Sequence, residues 1–139
     1  MSKFNIKKIL KKYNFDKDGI YLTKFKNTSQ IEEIRIRKLA AINLKDDILD
    51  FLSNYHSIPV MDYEVNRILK YTPKNGIIID AGGCWGWHWR KISKLRPDVK
   101  VIIVDFVKSN LILAKKLLGN EINKNIYLVC GDATDLPFK

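Results

Sequence analysis

The sequence has little cysteine: Cys84 and Cys130 are the only two among 139 residues. Two cysteines are too few for a disulfide framework, and their spacing does not match that of a metal site. The sequence also has no apolar run that approaches the roughly 18 residues of a membrane-spanning helix. The N-terminus carries lysines with no apolar stretch behind them, so no secretory signal is predicted. We therefore expect a cytoplasmic protein without a bound metal.

Internal repeats and low-complexity segments are lacking as well, so a repeat architecture is not expected. The length fits one domain. A hydrophobic content of 46% is typical of a globular chain rather than a disordered one. The composition therefore predicts a single folded unit with a sizeable core.

The positive charge is concentrated at the N-terminus. Residues 1–26 contain eight lysines and two aspartates, so this segment carries +6 of the formal net charge of +10. The same segment has apolar residues at helical spacing, namely Ile6, Ile9, Leu10 and Tyr13. We favour a terminal helix that packs on its own domain and leaves its lysines in water. The alternatives are binding to nucleic acid through residues 1–26 or to a membrane surface.

Three short apolar segments dominate the second half, and each runs into polar residues. Residues 77–79 lead to Asp80, residues 101–104 lead to Asp105, and residues 126–130 lead to Gly131 and Asp132. The first segment is also followed by a glycine-rich turn, which lets backbone approach a ligand closely. Asp80 and Asp105 lie 25 residues apart, about one strand–helix–strand unit. The pattern predicts an α/β protein with a parallel sheet.

The helices between these strands have their own signals. Residues 60–71 and 86–96 are predicted helices, and a third runs from Ser109 to Leu118 and ends at Gly119. Residues 55–59 are predicted to form a loop, because proline disfavours a helical residue before it. In the second helix, Trp85, Trp89, Ile92 and Leu95 form the predicted buried stripe.

Together, residues 80–86, Asp105 and residues 131–138 resemble the class I S-adenosylmethionine-dependent methyltransferases. The resemblance covers about residues 62–139. It implies a Rossmann-like parallel sheet whose first three strands, in the order 3-2-1, follow a helical N-terminal extension. We expect residues 1–59 to form this basic extension and residues 60–139 to form the N-terminal half of the cofactor-binding domain. The class I fold would thus be incomplete, as a fragment or as a chain that a partner completes.

The resemblance implies a site for S-adenosylmethionine at the carboxyl ends of the three strands. For the methionine end, the turn of Gly82, Gly83, Cys84 and Gly86 would pass beneath the cofactor. Asp80 would orient this turn or contact the amino group, or would instead cap the following helix. Trp87 and His88 would face the site, whereas Trp85 and Trp89 would pack in the core.

The adenosine end depends on the second and third strands. By resemblance, Asp105 would accept hydrogen bonds from both ribose hydroxyls, or would instead cap the helix at Ser109. Phe106 would form an apolar wall against the adenine. Asp132 would accept a hydrogen bond from the adenine amino group, and the Ala133 N–H would donate to a ring nitrogen.

Cys84 departs from the family pattern, which has glycine at this position. A β-carbon at positive φ costs roughly 1 kcal/mol or more. We expect either that the turn shifts by one residue, so that Gly83 takes the strained position, or that Cys84 adopts an ordinary conformation and narrows the pocket.

The predicted function is methyl transfer from S-adenosylmethionine to an acceptor that the sequence does not identify, and no catalytic residue can be assigned. One alternative is an NAD(P)-type dinucleotide-binding fragment. The other is a non-catalytic methyltransferase-like module that binds RNA or protein through the basic N-terminus. The first strand would be an unpaired sheet edge, which is available for self-association.

Overall fold

The computed structural model describes residues 5–23 and 58–136, together with Ile31 and Arg35, which are helical and exposed. The N-terminal part contains a short helix and two short strands: α1 (Ile6–Leu10), β1 (Asn14–Phe15) and β2 (Tyr21–Leu22). The remainder contains α2 (Ile58–Tyr71), β3 (Ile77–Ala81), a 3-10 helix (Trp87–Lys91), α3 (Ile92–Leu95), β4 (Lys100–Asp105), α4 (Lys108–Leu118), a 3-10 turn (Gly119–Glu121) and β5 (Ile126–Cys130). Across these residues, no helix is both long and apolar enough to cross a bilayer.

These strands form one sheet of five strands in the order β1-β2-β5-β4-β3. All neighbours are parallel except β1 and β2, which are antiparallel. The sheet is thus mostly parallel and compatible with a Rossmann-like fold. The carboxyl ends of the three longer strands are aligned, because Ala81 pairs with Val104 and Asp105 pairs with Cys130.

The sheet contains two strands more than the three predicted for the cofactor-binding half. Residues 14–22, which we assigned to the N-terminal extension, supply β1 and β2 at the β5 side. Thr23 fixes the end of β2, since its backbone N–H donates to the Cys130 carbonyl at 2.9 Å. The division at residue 59 stays a prediction.

Both faces of the central strands are covered. On one face, a core cluster joins α2, the 3-10 helix, α3 and α4 to the sheet, with Leu69, Trp89, Ile92, Leu111, Leu118, Val101, Ile103 and Leu128 among its members. On the other face, Ile6 and Leu10 of α1 and Tyr13 after it pack against Ile102, Val104, Tyr127 and Val129. Strand β4 is therefore buried from both sides, as a continuous apolar run predicts.

Two helices differ from their predictions. Helix α2 spans Ile58–Tyr71, so Ile58 and Pro59 are helical, whereas we predicted a loop for them. Proline is tolerated in a first helical turn because the missing N–H would have had no helical partner there. The predicted helix over residues 86–96 is a 3-10 helix followed by the single α-turn α3. Leu95 is 44% exposed, so it is not part of the buried stripe.

Strand β3 lies at one edge of the sheet and has no neighbour on its outer side among the residues that the structure describes. The side chain of Ile79 in this strand is 45% exposed. An exposed apolar edge strand is a site where another strand can pair. Self-association through this edge stays a prediction.

The docking of α1 can be tested through Leu10, which is fully buried. We expect Leu10→Ala to lower the free energy of unfolding by about 2–5 kcal/mol, because it leaves a cavity between α1 and the sheet. The exposed neighbour Lys8 provides a control, since Lys8→Ala should change the stability by less than about 0.5 kcal/mol. Urea denaturation followed by circular dichroism measures both. Equal effects of the two changes would show that α1 does not pack on the sheet.

Candidate functional site

A cleft of about 310 Å³ lies at the carboxyl ends of β3, β4 and β5. This volume is at the lower end of the range of about 300–1,000 Å³ that small-molecule sites span. The three strand ends and the turns after them contribute all the lining residues: Ala81, Gly82, Val104, Asp105, Phe106, Gly131, Asp132 and Ala133. Parallel α/β sheets bind their ligands at this edge. Five predicted site residues meet here: Gly82, Asp105, Phe106, Asp132 and Ala133.

The turn after β3 is held against β4 by its backbone. The Gly82 N–H donates to the Val104 carbonyl at 2.8 Å, and the Gly86 N–H closes the turn onto the Gly83 carbonyl at 2.8 Å. Gly82 has a φ of +76°, and a β-carbon built on it would meet no protein atom within 4 Å. The turn therefore leaves open space beside Gly82, where a side chain would project.

Cys84 has a φ of 51°, which lies in the left-handed region. Both alternatives for this position were wrong: Gly83 does not take the positive φ, and Cys84 does not adopt an ordinary conformation. In this conformation the Cys84 N–H donates to Asp105 Oδ2 at 3.1 Å. The strain at Cys84 is thus tied to a hydrogen bond between the turn and β4.

Asp105 is buried, with 6% of its surface exposed, and it contacts three segments of the cleft. Its Oδ2 atom accepts from the turn at Cys84, and Oδ1 accepts from the Val107 N–H at 2.7 Å at the start of α4. Its backbone carbonyl accepts from the Gly131 N–H at 3.1 Å. The carboxylate therefore joins the turn after β3 to the residue that precedes α4, and it also lines the cleft. Capping of the helix at Ser109 by Asp105 stays a prediction.

The segment after β5 places Asp132 and Ala133 on the other side of the cleft. Asp132 Oδ1 accepts from both the backbone N–H and the hydroxyl of Thr134, at 2.8 and 2.7 Å. Ala133 is exposed. Behind this segment, burial raises the pKa of the Cys130 thiol to about 11, and the nearby Asp105 carboxylate adds to the shift. Cys130 is thus protonated at neutral pH and packs rather than reacts.

Asp80 does not line this cleft. It lines a second groove, of about 680 Å³, with residues of α2 and with His88 and Trp89. Asp80 Oδ2 accepts from the Trp89 indole N–H at 2.7 Å. The side chain lies beneath Gly83, where a β-carbon would collide with the carboxylate. Asp80 therefore anchors the glycine-rich turn through Trp89.

The predicted roles of the aromatic residues are only partly matched. Trp87 lines neither groove: it packs against the core, and the Arg90 guanidinium lies 5.6 Å from the centre of its ring. His88 faces the second groove, where its Nε2 lies 3.3 Å from a Glu64 carboxylate oxygen. Trp89 is buried, as predicted. Gly83, Cys84 and Gly86 shape the turn without lining the cleft.

Three lining residues were not among the predicted site residues: Ala81, Val104 and Gly131. Ala81 and Gly131 directly adjoin predicted residues, so the motif positions could have indicated them. Val104 reads as an ordinary core residue of a buried strand, and nothing in the sequence marks it. Within the described part of the chain, no group of three His, Cys, Asp or Glu side chains could hold a metal ion.

Comparisons with known proteins indicate a methyltransferase at a coarse level only. No model of a known protein family matches the sequence. The chain is similar to the ribosomal RNA small subunit methyltransferase H of Prochlorococcus marinus (strain NATL2A), with 38% identity over 66 residues. The match covers 45% of this chain and 22% of that protein, so the chain spans about a fifth of the length of its curated relative. This partial similarity supports a methyltransferase.

The left-handed conformation of Cys84 predicts opposite effects of two substitutions. Cys84→Gly should stabilise the protein by up to about 1 kcal/mol, because glycine relieves the strain but adds entropy to the unfolded chain. Cys84→Val should destabilise it, since a β-branched residue is a strong outlier at positive φ. Thermal unfolding of both variants measures these changes. A destabilised Cys84→Gly would show that the thiol itself stabilises the turn.

The position of Asp105 predicts that its carboxylate is required for stability. Asp105→Asn places an amide NH₂ against one of the backbone N–H donors, and we expect a loss of about 1–3 kcal/mol. Asp135→Asn removes the same charge from an exposed position and should cost less than about 0.5 kcal/mol. Urea denaturation compares the two. Equal stabilities would contradict the bridging role of Asp105.

Proposed function

We propose that this chain supplies the S-adenosylmethionine-binding half of a class I methyltransferase. The observation that carries the proposal is the cleft between the ends of β3, β4 and β5, where Gly82, Asp105 and Asp132 come together from three separate segments. Their order and spacing resemble the family, and the partial match is to a methyltransferase. No whole-protein activity is implied by a chain that spans about a fifth of its relative's length.

The residues present fit this cofactor. The open space beside Gly82 allows a bound group to approach the backbone of the turn. We propose that Asp105 receives the ribose hydroxyls at the centre of the cleft, while Phe106 forms the apolar wall beside the adenine. Asp132 and the Ala133 N–H then hold the polar edge of the base.

Asp80 has a positioning role in this proposal. Through its hydrogen bond with the Trp89 indole it holds the turn from outside the cleft. Gly83, Cys84 and Gly86 set the path of the turn, and Trp87 supports it from the core. None of these five residues contacts the cofactor in the geometry that we propose.

Bound S-adenosylmethionine supplies an activated methyl group for transfer to a nucleophile. The contribution of this chain is to hold that group in one orientation, because proximity and alignment lower the barrier of an in-line displacement. No residue of the described chain is assigned as a general base. The name of the relative designates ribosomal RNA, and we propose RNA as the acceptor class here.

The test of cofactor identity is calorimetric titration of the full chain with S-adenosylmethionine, with its demethylated product and with NAD. We expect both sulfur compounds to bind more tightly than NAD, with free energies of roughly −4 to −6 kcal/mol. Asp132→Ala should weaken their binding at least tenfold. Asp135→Ala removes a charge from the same loop outside the cleft and should leave it unchanged.

NAD binding that equals or exceeds S-adenosylmethionine binding would overturn the proposal in favour of a dinucleotide site. Equal losses in the Asp132→Ala and Asp135→Ala variants would show that the cleft is not where the cofactor binds. Unfolding curves of both variants confirm that they remain folded.

A further inference from the structure

Four exposed lysines lie on and just after α1. Lys7 and Lys8 lie in α1, and Lys11 and Lys12 lie in the turn that follows it. We call these four residues the lysine surface. They lie opposite Ile6 and Leu10, which are 7% and 0% exposed and pack into the core. The docking of α1 on the sheet thus fixes the lysines in an outward position.

Among the residues that the structure describes, no carboxylate forms an ion pair with an ammonium group of the lysine surface. Several basic side chains elsewhere are neutralised by nearby carboxylates: Arg90 and Lys91 pair with Asp62, Arg96 with Asp98, and Lys108 with Asp16 and Asp18. Unpaired like charges on one surface repel each other and produce a positive potential that attracts a polyanion.

The lysine surface is followed by a residue that lies near the loop after β5. Tyr13 follows Lys12 directly, and burial together with the nearby Asp135 carboxylate raises the Tyr13 pKa to about 12. Leu136 packs against the same apolar cluster that holds α1. The loop of residues 131–136 therefore connects the lysine surface to the cleft, since Gly131, Asp132 and Ala133 line the cleft.

We propose that the lysine surface binds the phosphate backbone of RNA and guides that RNA toward the cleft. Lysine ammonium groups bind phosphates as mobile point charges, which suits a sequence-independent contact. The choice of RNA rests on the proposed function, which takes RNA as the acceptor class. The geometry disfavours a membrane surface, because an interfacial helix inserts its apolar face into lipid, and here that face is buried in the protein core.

The packing of α1 on its own domain, which we favoured from the sequence, is fully compatible with this proposal. Docking uses Ile6, Leu10 and Tyr13, and RNA binding uses the opposite side of the same segment. The lysines can therefore be changed without disturbing the core. This separation makes the surface testable by substitution.

The test compares two charge-matched variants of the full chain. The first is Lys7→Ala, Lys8→Ala, Lys11→Ala and Lys12→Ala combined. The control changes four exposed lysines outside α1 to alanine, namely Lys70, Lys74, Lys94 and Lys124. Fluorescence anisotropy measures binding of a labelled single-stranded RNA of roughly 20 nucleotides, longer than one typical single-strand site. Vesicles that contain phosphatidylglycerol serve as the membrane probe.

Four phosphate contacts should give a slope of about −3 for log affinity against log salt, so that affinity falls about 50-fold between 50 and 200 mM salt. For the first variant we expect the RNA affinity to depend only weakly on salt, with a slope near zero. For the control we expect the slope of the unmodified chain. Calorimetry with S-adenosylmethionine should give the same affinity for both variants.

Equal losses of RNA binding in the two variants, no RNA binding by the unmodified chain, or equally tight binding to the vesicles would each overturn this inference. If RNA binding fails while S-adenosylmethionine still binds, the lysine surface alone is refuted. If S-adenosylmethionine fails to bind but RNA binding is lost only in the first variant, the proposed enzyme function is refuted. The result would then support a non-catalytic RNA-binding module.

Discussion

The arrangement of the cleft depends on Asp105. Its carboxylate joins the turn after β3 to the start of α4, and its carbonyl joins both to the segment after β5. A buried carboxylate is stable only when hydrogen bonds replace the water that it loses, so the Asp105 carboxylate and the backbone N–H groups of Cys84 and Val107 require one another. Through its side chain and its carbonyl, this one residue thereby joins three turns that are far apart in the sequence.

The sheet that carries Asp105 depends in turn on cover from both sides. Strand β4 has apolar residues on both faces, and helices on one side alone would leave half of them in water. Helix α1 supplies the second layer through Leu10. The need for this second layer explains why residues that we predicted to form a separate N-terminal extension share the sheet with β3, β4 and β5. It also places the lysine surface beside the loop after β5.

Much of the cleft could be predicted because its signals are local. A buried parallel strand reads as a short apolar run, and the polar residue that ends it lies at the sheet edge where ligands bind. Asp105, Asp132 and Gly82 were found in this way. The side chain of Trp87 could not be placed, since its direction depends on a 3-10 helix where a regular helix was expected.

The sequence by itself determined the three longer strands, the polar residues at their ends and the amphipathic character of α1. These features follow from the spacing of side chains along a strand or a helix. Only the tertiary structure decided that Asp80 faces Trp89 rather than the cleft, that Cys84 takes a left-handed conformation, and that β1 and β2 extend the sheet. Each of these depends on contacts between residues distant in sequence, whose burial and hydrogen bonds outweigh local preference.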